Sequence, residues 1–289
     1  MTPSRGYLTL AARDPIYLEM AVDMALSLRE HTEYPIALAA DEALGVRAQT
    51  RYAGVFDVVT LIPQRFRAGR ALKYGTAEAS PFEETMFVDA DCIALASMDD
   101  RWSALERSAM AMTGEMLTAE HDRRHHGFST RKLMRRYGLE RYLKTNSGFF
   151  CFRRSDALQI MEECRTCYLE EILPRLRWQI PFGKWLGDEL AFGIVGGRRR
   201  LEPLPKPDVM YWPPDEFETL DLARPAKPLL HLIWPLSGAT LDTVVKGTAA
   251  RRAAADVPGD AESHWRTESH KLERVAFRLR FLQALGRYE

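Results

Sequence analysis

Short apolar runs alternate with helix-like segments through the first half of the chain. The apolar runs cover residues 7–12, 34–41, 56–63 and 84–91. Helical spacing of apolar residues marks 14–32, and 69–80 also reads as helical. The runs are continuously apolar, which is typical of parallel strands buried on both faces. The sequence therefore predicts an α/β fold with a mostly parallel sheet flanked by helices.

The second half of the chain predicts further elements around a polar excursion. Strands are expected at 110–116, at the start of 145–158 and within 228–238. Residues 118–144 are rich in arginine and histidine, and residues 203–228 hold seven prolines, which predicts irregular structure. Beyond about residue 248, alanine, arginine and glutamate dominate up to a terminal helix at 269–289. We therefore expect a domain of residues 1–247 and a C-terminal helical extension of residues 248–289.

Charge and cysteine content indicate which partners and which cellular location to expect. Forty basic and forty acidic residues cancel, so no overall field attracts nucleic acid, and we predict no nucleic-acid partner. No apolar stretch approaches the ~18 residues of a spanning helix, and four cysteines in 289 residues do not form a disulfide framework. These features predict a cytoplasmic protein. Cys164 and Cys167 form a lone CxxC pattern in a helical segment, which is typical of small buried residues.

The stretch FVDADCIAL, residues 87–95, places two aspartates where a predicted strand ends. Ligands gather at the carboxyl ends of strands in open α/β sheets. Asp89 and Asp91 repel each other unless a cation lies between them, and carboxylate oxygens suit Mn²⁺ or Mg²⁺. Two aspartates at this spacing are a weak signal alone, and a solvated loop is the alternative. The apolar flanks favour a metal site.

With these residues in view, the chain resembles the GT-A glycosyltransferases, and within them glycosyltransferase family 8, which includes glycogenin and lipopolysaccharide galactosyltransferases. The resemblance spans roughly residues 7–240 and is carried by FVDADCIAL, NSGFF, GDELAF and the histidine of LLHLIWPLSG, in that order. It implies a Rossmann-like GT-A domain. It also implies a metal-dependent transferase that moves a sugar from a nucleotide-diphosphate donor, UDP by resemblance, with retention.

The resemblance also implies roles for individual residues. Metal ligands are expected at Asp89, Asp91 and His231, although a buried structural histidine is an open alternative for the last. Contacts to the donor are expected from Ala11, Ala12, Arg13, Asp41, Lys73, Asp89, Ala90, Asp91, Ser147, Gly148 and Lys246. Catalytic candidates are Asn146, Asp188 and Glu189. The family has a lysine and a tryptophan soon after the histidine. In this sequence Trp234 comes earlier and Lys246 later than that signature.

Plainer readings exist for several of these residues. Asp41 is also placed to cap a helix, Lys73 to lie along the surface, and residues 146–148 to form a turn. Glu189 stands where the family has glutamine, a departure that bears on the mechanism. His121, His125 and His126 form a histidine cluster in which positions 121 and 125 lie one helical turn apart, a spacing that suits a metal site, but no third ligand is nearby in the sequence.

Acceptor and membrane contacts rest on basic segments. The arginines of 121–136 suit an anionic acceptor, and a solvated helix face is the alternative. The basic terminal helix suits peripheral contact with anionic lipid, although packing on the core is the simpler expectation. Two other functions remain open, a sugar-phosphate nucleotidyltransferase and a nucleotide-sugar-binding protein without turnover. The LAARDPIY loop lacks the glycines of nucleotidyltransferases.

Overall fold

A computed structural model defines the fold. It describes residues 4–67, 71–182, 186–204, 209–211, 216, 220–233, 235–236, 238–259, 264–273 and 276. Trp234 and most of the predicted helix 269–289 lie outside the described residues.

A six-stranded sheet forms the centre of the molecule. Its strands are β1 (Arg5–Ala11), β2 (Ile36–Ala40), β3 (Val58–Leu61), β4 (Glu84–Val88), β6 (Met110–Thr118) and β9 (Arg141–Arg153). Their order is β3-β2-β1-β4-β9-β6. The first four are parallel, and β9 pairs antiparallel with both β4 and β6. β2 and β4 are buried along their whole length, as their continuously apolar sequences predict.

Helices cover both faces of this sheet. They are α1 (Pro15–Arg29), α2 (Glu42–Arg51), α3 (Thr76–Ala79), α4 (Thr130–Tyr137), α5 (Arg154–Thr166), α6 (Leu173–Leu176), α7 (Glu189–Arg199) and α8 (Gly238–Ala254). Asp14 caps α1 by accepting from the Ile16 N–H, and Pro15 takes the first helical position. Shorter 3₁₀ turns include Leu72–Gly75, immediately before α3. The predicted α/β class, with a mostly parallel sheet, is confirmed.

A second, three-stranded sheet lies beside the end of β4. It contains β5 (Cys92–Ala94), β10 (Met210–Tyr211) and β11 (Leu229–His231). β11 runs antiparallel to β5 and sets His231 opposite Cys92. The apolar run 84–95 therefore divides between two sheets, with Asp89 and Asp91 at the junction. This division brings a histidine 140 residues later to the aspartate pair.

The polar excursion predicted after β6 is folded rather than extended. It contains a hairpin of β7 (Arg124–His125) and β8 (Phe128–Ser129), followed directly by α4. Ser129 caps α4, and Gly138 ends it in a left-handed conformation. The hairpin and α4 pack against β9 and α7, so the excursion belongs to the body of the protein.

The C-terminal segment also packs on the core. Helix α8 lies against α1, and residues 264–273 are helical. Trp265 is 1% exposed. The boundary predicted between residues 247 and 248 falls inside α8. Within the described residues, no helix combines the length and apolar character needed to cross a bilayer. All four cysteines are free and buried, as expected for the CxxC pair.

Candidate functional site

A cavity of about 550 Å³ opens at the carboxyl ends of β1 and β4. Its wall combines residues of the first β–α loop, the 3₁₀ turn Leu72–Gly75 and the start of α7. Among the predicted site residues it is lined by Ala12, Arg13, Lys73, Asp89, Ala90, Asp91 and Asp188. The strand-end position therefore gathers residues up to 176 positions apart in sequence around one space.

Asp89, Asp91 and His231 converge at the junction of the two sheets. The Nε2 atom of His231 lies 3.3 Å from Asp91 Oδ1 and 3.7 Å from Asp89 Oδ2. His231 is 4% exposed, and among the described residues its Nδ1 atom has no hydrogen-bond partner. In many metal sites the second ring nitrogen of a ligating histidine donates to a carbonyl or carboxylate. In the described part of the chain, Nδ1 of His231 does not.

The donor set of these three residues fits a divalent cation. Two carboxylate oxygens and one imidazole nitrogen face one another from three strand ends, and these are donors that Mn²⁺ accepts. Gly148 lies against the imidazole, where a Cβ atom would meet His231 Nδ1 at 2.5 Å. A residue larger than glycine at position 148 would therefore displace the His231 ring. Asp89, Asp91 and His231 therefore suit a metal ion. Cys92, a buried thiol, also lies near Asp91 and His231.

Burial and mutual repulsion shift the titration of the pair. Burial raises the pKa of Asp89 above its ordinary value, although Lys73 opposes the shift, and Asp91 adds to it. Burial would also raise the pKa of Asp91, but His231 outweighs burial and lowers it. For His231, burial would lower the pKa, and Asp91 and Asp89 together raise it. The surroundings of Asp89 and Asp91 therefore favour a positive charge beside the two carboxylates.

Lys73 reaches this site from the 3₁₀ turn. Its Nζ atom donates to Asp89 Oδ2 at 2.5 Å and to Ser147 Oγ at 2.8 Å, and it lies 3.8 Å from Asp188 Oδ2. Burial would lower the pKa of Lys73, but Asp89, Asp188 and Glu189 raise it, so the ammonium stays charged. The alternative of a lysine lying along the surface is wrong, because the head group is enclosed by these acceptors.

Residues 146–148 lie inside β9 beside the aspartates, not in a separate turn. Asn146 is 7% exposed, and its Oδ1 accepts from the Gly148 N–H at 2.8 Å. The Gly148 carbonyl accepts from the Asp89 N–H at 2.9 Å. Ser147 donates through Oγ to Asp188 Oδ2 at 2.9 Å. Ser147 therefore links the lysine, the strand and the start of α7.

Asp188 and Glu189 open α7 beside this network. Asp188 directly precedes α7 and makes no side-chain cap bond to it, and its carbonyl accepts from the Tyr74 hydroxyl at 2.8 Å. Glu189 Oε1 accepts from the Ser147 N–H at 2.9 Å, and Oε2 bonds His126 Nε2. Burial would raise the pKa of Glu189, but His126, His125 and Lys73 lower it below its usual range.

Three predicted donor contacts lie elsewhere. Asp41 caps α2 by accepting from the Leu44 N–H at 3.0 Å, and its other oxygen accepts from the Arg13 N–H at 2.7 Å. Ala11 is fully buried within β1. Lys246 is exposed on α8 and does not line the cavity. Asp41 therefore shapes the loop that carries Arg13, and Lys246 is not brought to the site.

Of the histidines predicted as a cluster at 121, 125 and 126, two stay together, since the rings of His125 and His126 stack with centroids 4.5 Å apart. His121 is exposed beside Thr118. His125 is buried between the Tyr142 hydroxyl at 2.7 Å and the Thr145 carbonyl at 3.0 Å. Sequence reasoning did not assign His126 to Glu189, which is 63 residues away in the chain. The sequence carried one signal for it, a glutamate where the resembling family has glutamine.

Similarity to known proteins is found in the structure and not in the sequence. No protein-family model matches the sequence, and no curated protein matches it. The structure is similar to the galactosyltransferase LgtC in complex with donor and acceptor sugar analogs, with a TM-score of 0.56 and 12% identity over 91% of this chain and 99% of that one. It is also similar to an active-site Gln-to-Glu mutant of LgtC, with a TM-score of 0.53 and 13% identity over 91% and 99% of the two chains.

A third neighbour is the bifunctional glycosyltransferase WbbM in its apo form, with a TM-score of 0.57 and 10% identity. The alignment covers 94% of this chain and 52% of WbbM, so this chain spans about half of that protein. At these identities the likeness concerns the fold. The chain has the fold of these glycosyltransferases, and the GT-A fold implied by the sequence resemblance is confirmed.

Proposed function

We propose that this protein is a metal-dependent glycosyltransferase that moves a sugar from a nucleotide-diphosphate donor to a sugar acceptor. The observation that carries the proposal is the convergence of Asp89, Asp91 and His231 on one point at the mouth of a cavity. The glycosyltransferase fold supports it. LgtC was solved with donor and acceptor sugar analogs, which favours the same pair of ligand classes here.

Asp89, Asp91 and His231 would hold Mn²⁺ or Mg²⁺. When bound, such an ion neutralises the charge that develops on a departing diphosphate. Lys73 supports the same end of the site, because its ammonium lies between Asp89 and Asp188 and adds a fixed positive charge. Ala12, Ala90 and the Arg13 loop form the wall on which we place the nucleotide. UDP is the nucleotide we expect, by resemblance.

The sugar end of the site is assigned to the start of α7 and the middle of β9. Asp188 lines the cavity with its Oδ2 fixed by Ser147, so its carboxylate is held to hydrogen-bond sugar hydroxyls or to stabilise positive charge at the anomeric carbon. The Asn146 side chain accepts a hydrogen bond from the Gly148 N–H of its own strand. We therefore assign Asn146 to positioning Gly148 rather than to binding the sugar. Retention at the anomeric carbon remains a prediction from the family resemblance.

The acceptor we propose is anionic and is bound beside α4. Among the described residues, Arg131, Lys132, Arg135 and Arg136 lie on this helix without a carboxylate partner, while arginines elsewhere form ion pairs such as Arg198–Glu171. The helix contains no acidic residue. The hairpin before α4 supplies His126 to Glu189, and we therefore place the acceptor on the side of α4 that carries these basic residues. Reversing Arg135 and Arg136 to glutamate tests this, with weaker acceptor binding and unchanged donor binding expected.

Nucleotide binding is the first test of the function. Thermal unfolding is measured with UDP, GDP and CDP, each with and without MnCl₂, and turnover is then measured with the corresponding nucleotide sugars. A ligand at about 100 times its Kd stabilises the fold by about 2.7 kcal/mol, which is readily seen as a rise in Tm. We expect a rise for one nucleotide that requires the metal, followed by turnover of its sugar. Equal activity in EDTA would contradict the proposal.

One observation favours a second candidate, a binding protein without turnover. Lys73 already pairs with Asp89, so the lysine and a metal compete for that carboxylate. Metal-dependent nucleotide binding without transfer or hydrolysis of any sugar would select this alternative. Nothing in the site favours the nucleotidyltransferase over these two.

A further inference from the structure

Glu189 is a buried carboxylate with two fixed contacts. Its side chain is 14% exposed at the first position of α7. One oxygen accepts from the backbone N–H of Ser147 at 2.9 Å, and the other bonds Nε2 of His126. The nearest other imidazole nitrogen belongs to His125, at 4.0 Å. His126 is therefore the side chain that fixes the outer oxygen of Glu189.

His126 has a left-handed backbone conformation that few residues other than glycine adopt, although histidine adopts it more often than most. His126 has φ 51° and Gly127 has φ 79°, both in the left-handed region, at the turn between β7 and β8. Such two-residue turns favour Asn-Gly, because a larger side chain is strained at the first position. Here the position carries a histidine whose ring stacks on His125 with centroids 4.5 Å apart and reaches Glu189. A strained residue beside a site suggests a role in the site.

The site contains more carboxylates than cations, which explains why Glu189 needs His126 as a partner. Four carboxylates, Asp89, Asp91, Asp188 and Glu189, surround one permanent cation, Lys73. A carboxylate that binds no positive partner is costly to bury. The contact with His126 Nε2 gives the outer oxygen of Glu189 a hydrogen-bond partner of its own and leaves Lys73 to Asp89 and Asp188.

We propose that His126 is a positioning residue that holds Glu189 against Ser147, so that Lys73 and Asp188 keep their places at the reacting sugar. This inference rests on the proposed function. Its specific consequence is that His126 is needed only while residue 189 is a carboxylate. A glutamine at 189 keeps the acceptor for Ser147 and needs no cation.

A double-mutant cycle tests this consequence. The wild type, His126→Asn, Glu189→Gln and the double variant are compared in kcat and KM for the nucleotide sugar, together with the unfolding midpoint. Asparagine tolerates the left-handed backbone and carries no charge. We expect His126→Asn to lower kcat about tenfold with the donor KM changed less than about threefold. In the Glu189→Gln background the same change should alter kcat by less than about twofold.

His121→Asn is the matched control, because His121 is an exposed histidine of the same excursion, and it should leave kcat unchanged. If His126→Asn does not fold, His126→Gln replaces it in the cycle. A double variant about tenfold slower than Glu189→Gln alone, or a His126→Asn variant as fast as wild type, overturns the positioning role and leaves the proposed function standing. A wild type inactive with every donor, in the presence of metal, overturns the proposed function and the positioning role together.

Discussion

At the scale of the residue, the site is a set of buried charges that depend on one another. Asp89 and Asp91 repel each other, Lys73 neutralises the first, and His231 faces both. Each carboxylate taken alone would be costly at this depth. Lys73 and His231 reach these carboxylates from two separate chain segments, and their contacts reduce the cost of burying the pair.

Asp91 is the carboxylate with the fewest protein partners, so its replacement tests the metal most directly. Lys73 does not bond it, and its side chain is 30% exposed. We expect Asp91→Asn to abolish the metal-dependent rise in Tm with nucleotide while leaving the unliganded Tm within a few degrees. Asp100→Asn, at an exposed aspartate that pairs only with its neighbour Arg101, is the control. A metal-dependent rise retained in Asp91→Asn would remove Asp91 from the ligand set.

His125 predicts the response of the fold to acid. Burial, with a smaller effect of His126, lowers the pKa of His125 to about 3 from 6.5. Above pH 6.5 neither state binds the proton, so the contribution of His125 to stability is complete. Between pH 6.5 and 3 only the unfolded state binds it, and stability falls by about 1.4 kcal/mol per pH unit.

His125→Gln removes this titration. Although the variant starts from a lower stability, its free energy of unfolding should fall less steeply with acid than that of the wild type. Urea unfolding at pH 7, 6, 5 and 4.5 measures the two slopes. His270→Gln, at an exposed histidine, should keep the wild-type slope. Equal slopes for His125→Gln and wild type would show that His125 is charged in the folded state.

At the scale of the element, the close approach of α7 to β9 sets the position of the catalytic candidates. Three glycines on α7 face the strand, and a Cβ atom at Gly193 would meet Tyr142 at 2.4 Å, while one at Gly197 would meet the Arg141 carbonyl at 2.2 Å. Gly196 lies against Leu143. Because Asp188 and Glu189 begin this helix, its distance from the strand decides whether they reach Ser147.

Gly197→Ala should therefore separate α7 from β9. The new methyl group meets backbone, which cannot move aside as a side chain does, and overpacking of this kind costs about 1–3 kcal/mol. We expect a lower Tm and a loss of turnover larger than the loss of stability explains. Gly247→Ala is the control, since its Cβ would meet only Arg251 at 3.5 Å within α8 and alanine favours helix. A fully active Gly197→Ala variant would show that the helix position is not critical.

At the scale of the whole molecule, a buried acid ties the C-terminal segment to the first helix. Asp23 of α1 is fully buried and accepts from Arg252 Nε at 2.5 Å and from Trp265 Nε1 at 2.7 Å, and its Oδ2 lies 2.5 Å from His264 Nε2. Arg252 also donates to Glu19. The donors come from residues more than 220 positions away, so the segment proposed as an extension closes the core against α1.

Breaking this contact should cost far more than breaking a surface pair. Arg252→Met leaves the Asp23 carboxylate without its cation in a buried place, which costs about 3–5 kcal/mol. Arg251→Met removes the neighbouring exposed pair with Glu30 and should cost less than about 1 kcal/mol. Urea unfolding of the two variants gives the comparison. Similar losses for both would show that the segment contributes little to the core.

The sequence by itself determined the fold class and the place of the aspartate pair. Continuously apolar strands require a sheet covered on both faces, and two aspartates at the end of one strand must then lie at a carboxyl edge. The strand β4 and the pair Asp89 and Asp91 were predictable for this reason. Local pattern suffices where the neighbours that matter are a few residues away.

Only the tertiary structure decided which distant groups meet this pair. The split of residues 84–95 between two sheets brought His231 in, the 3₁₀ turn aimed Lys73 inward, and a left-handed hairpin turn set His126 on Glu189. It also left Lys246 outside the cavity. These contacts depend on strand order, on the close approach of glycines in α7 and β9 to their neighbours, and on one turn. Side-chain partners 60–140 residues apart are chosen by packing, which has no period in the sequence.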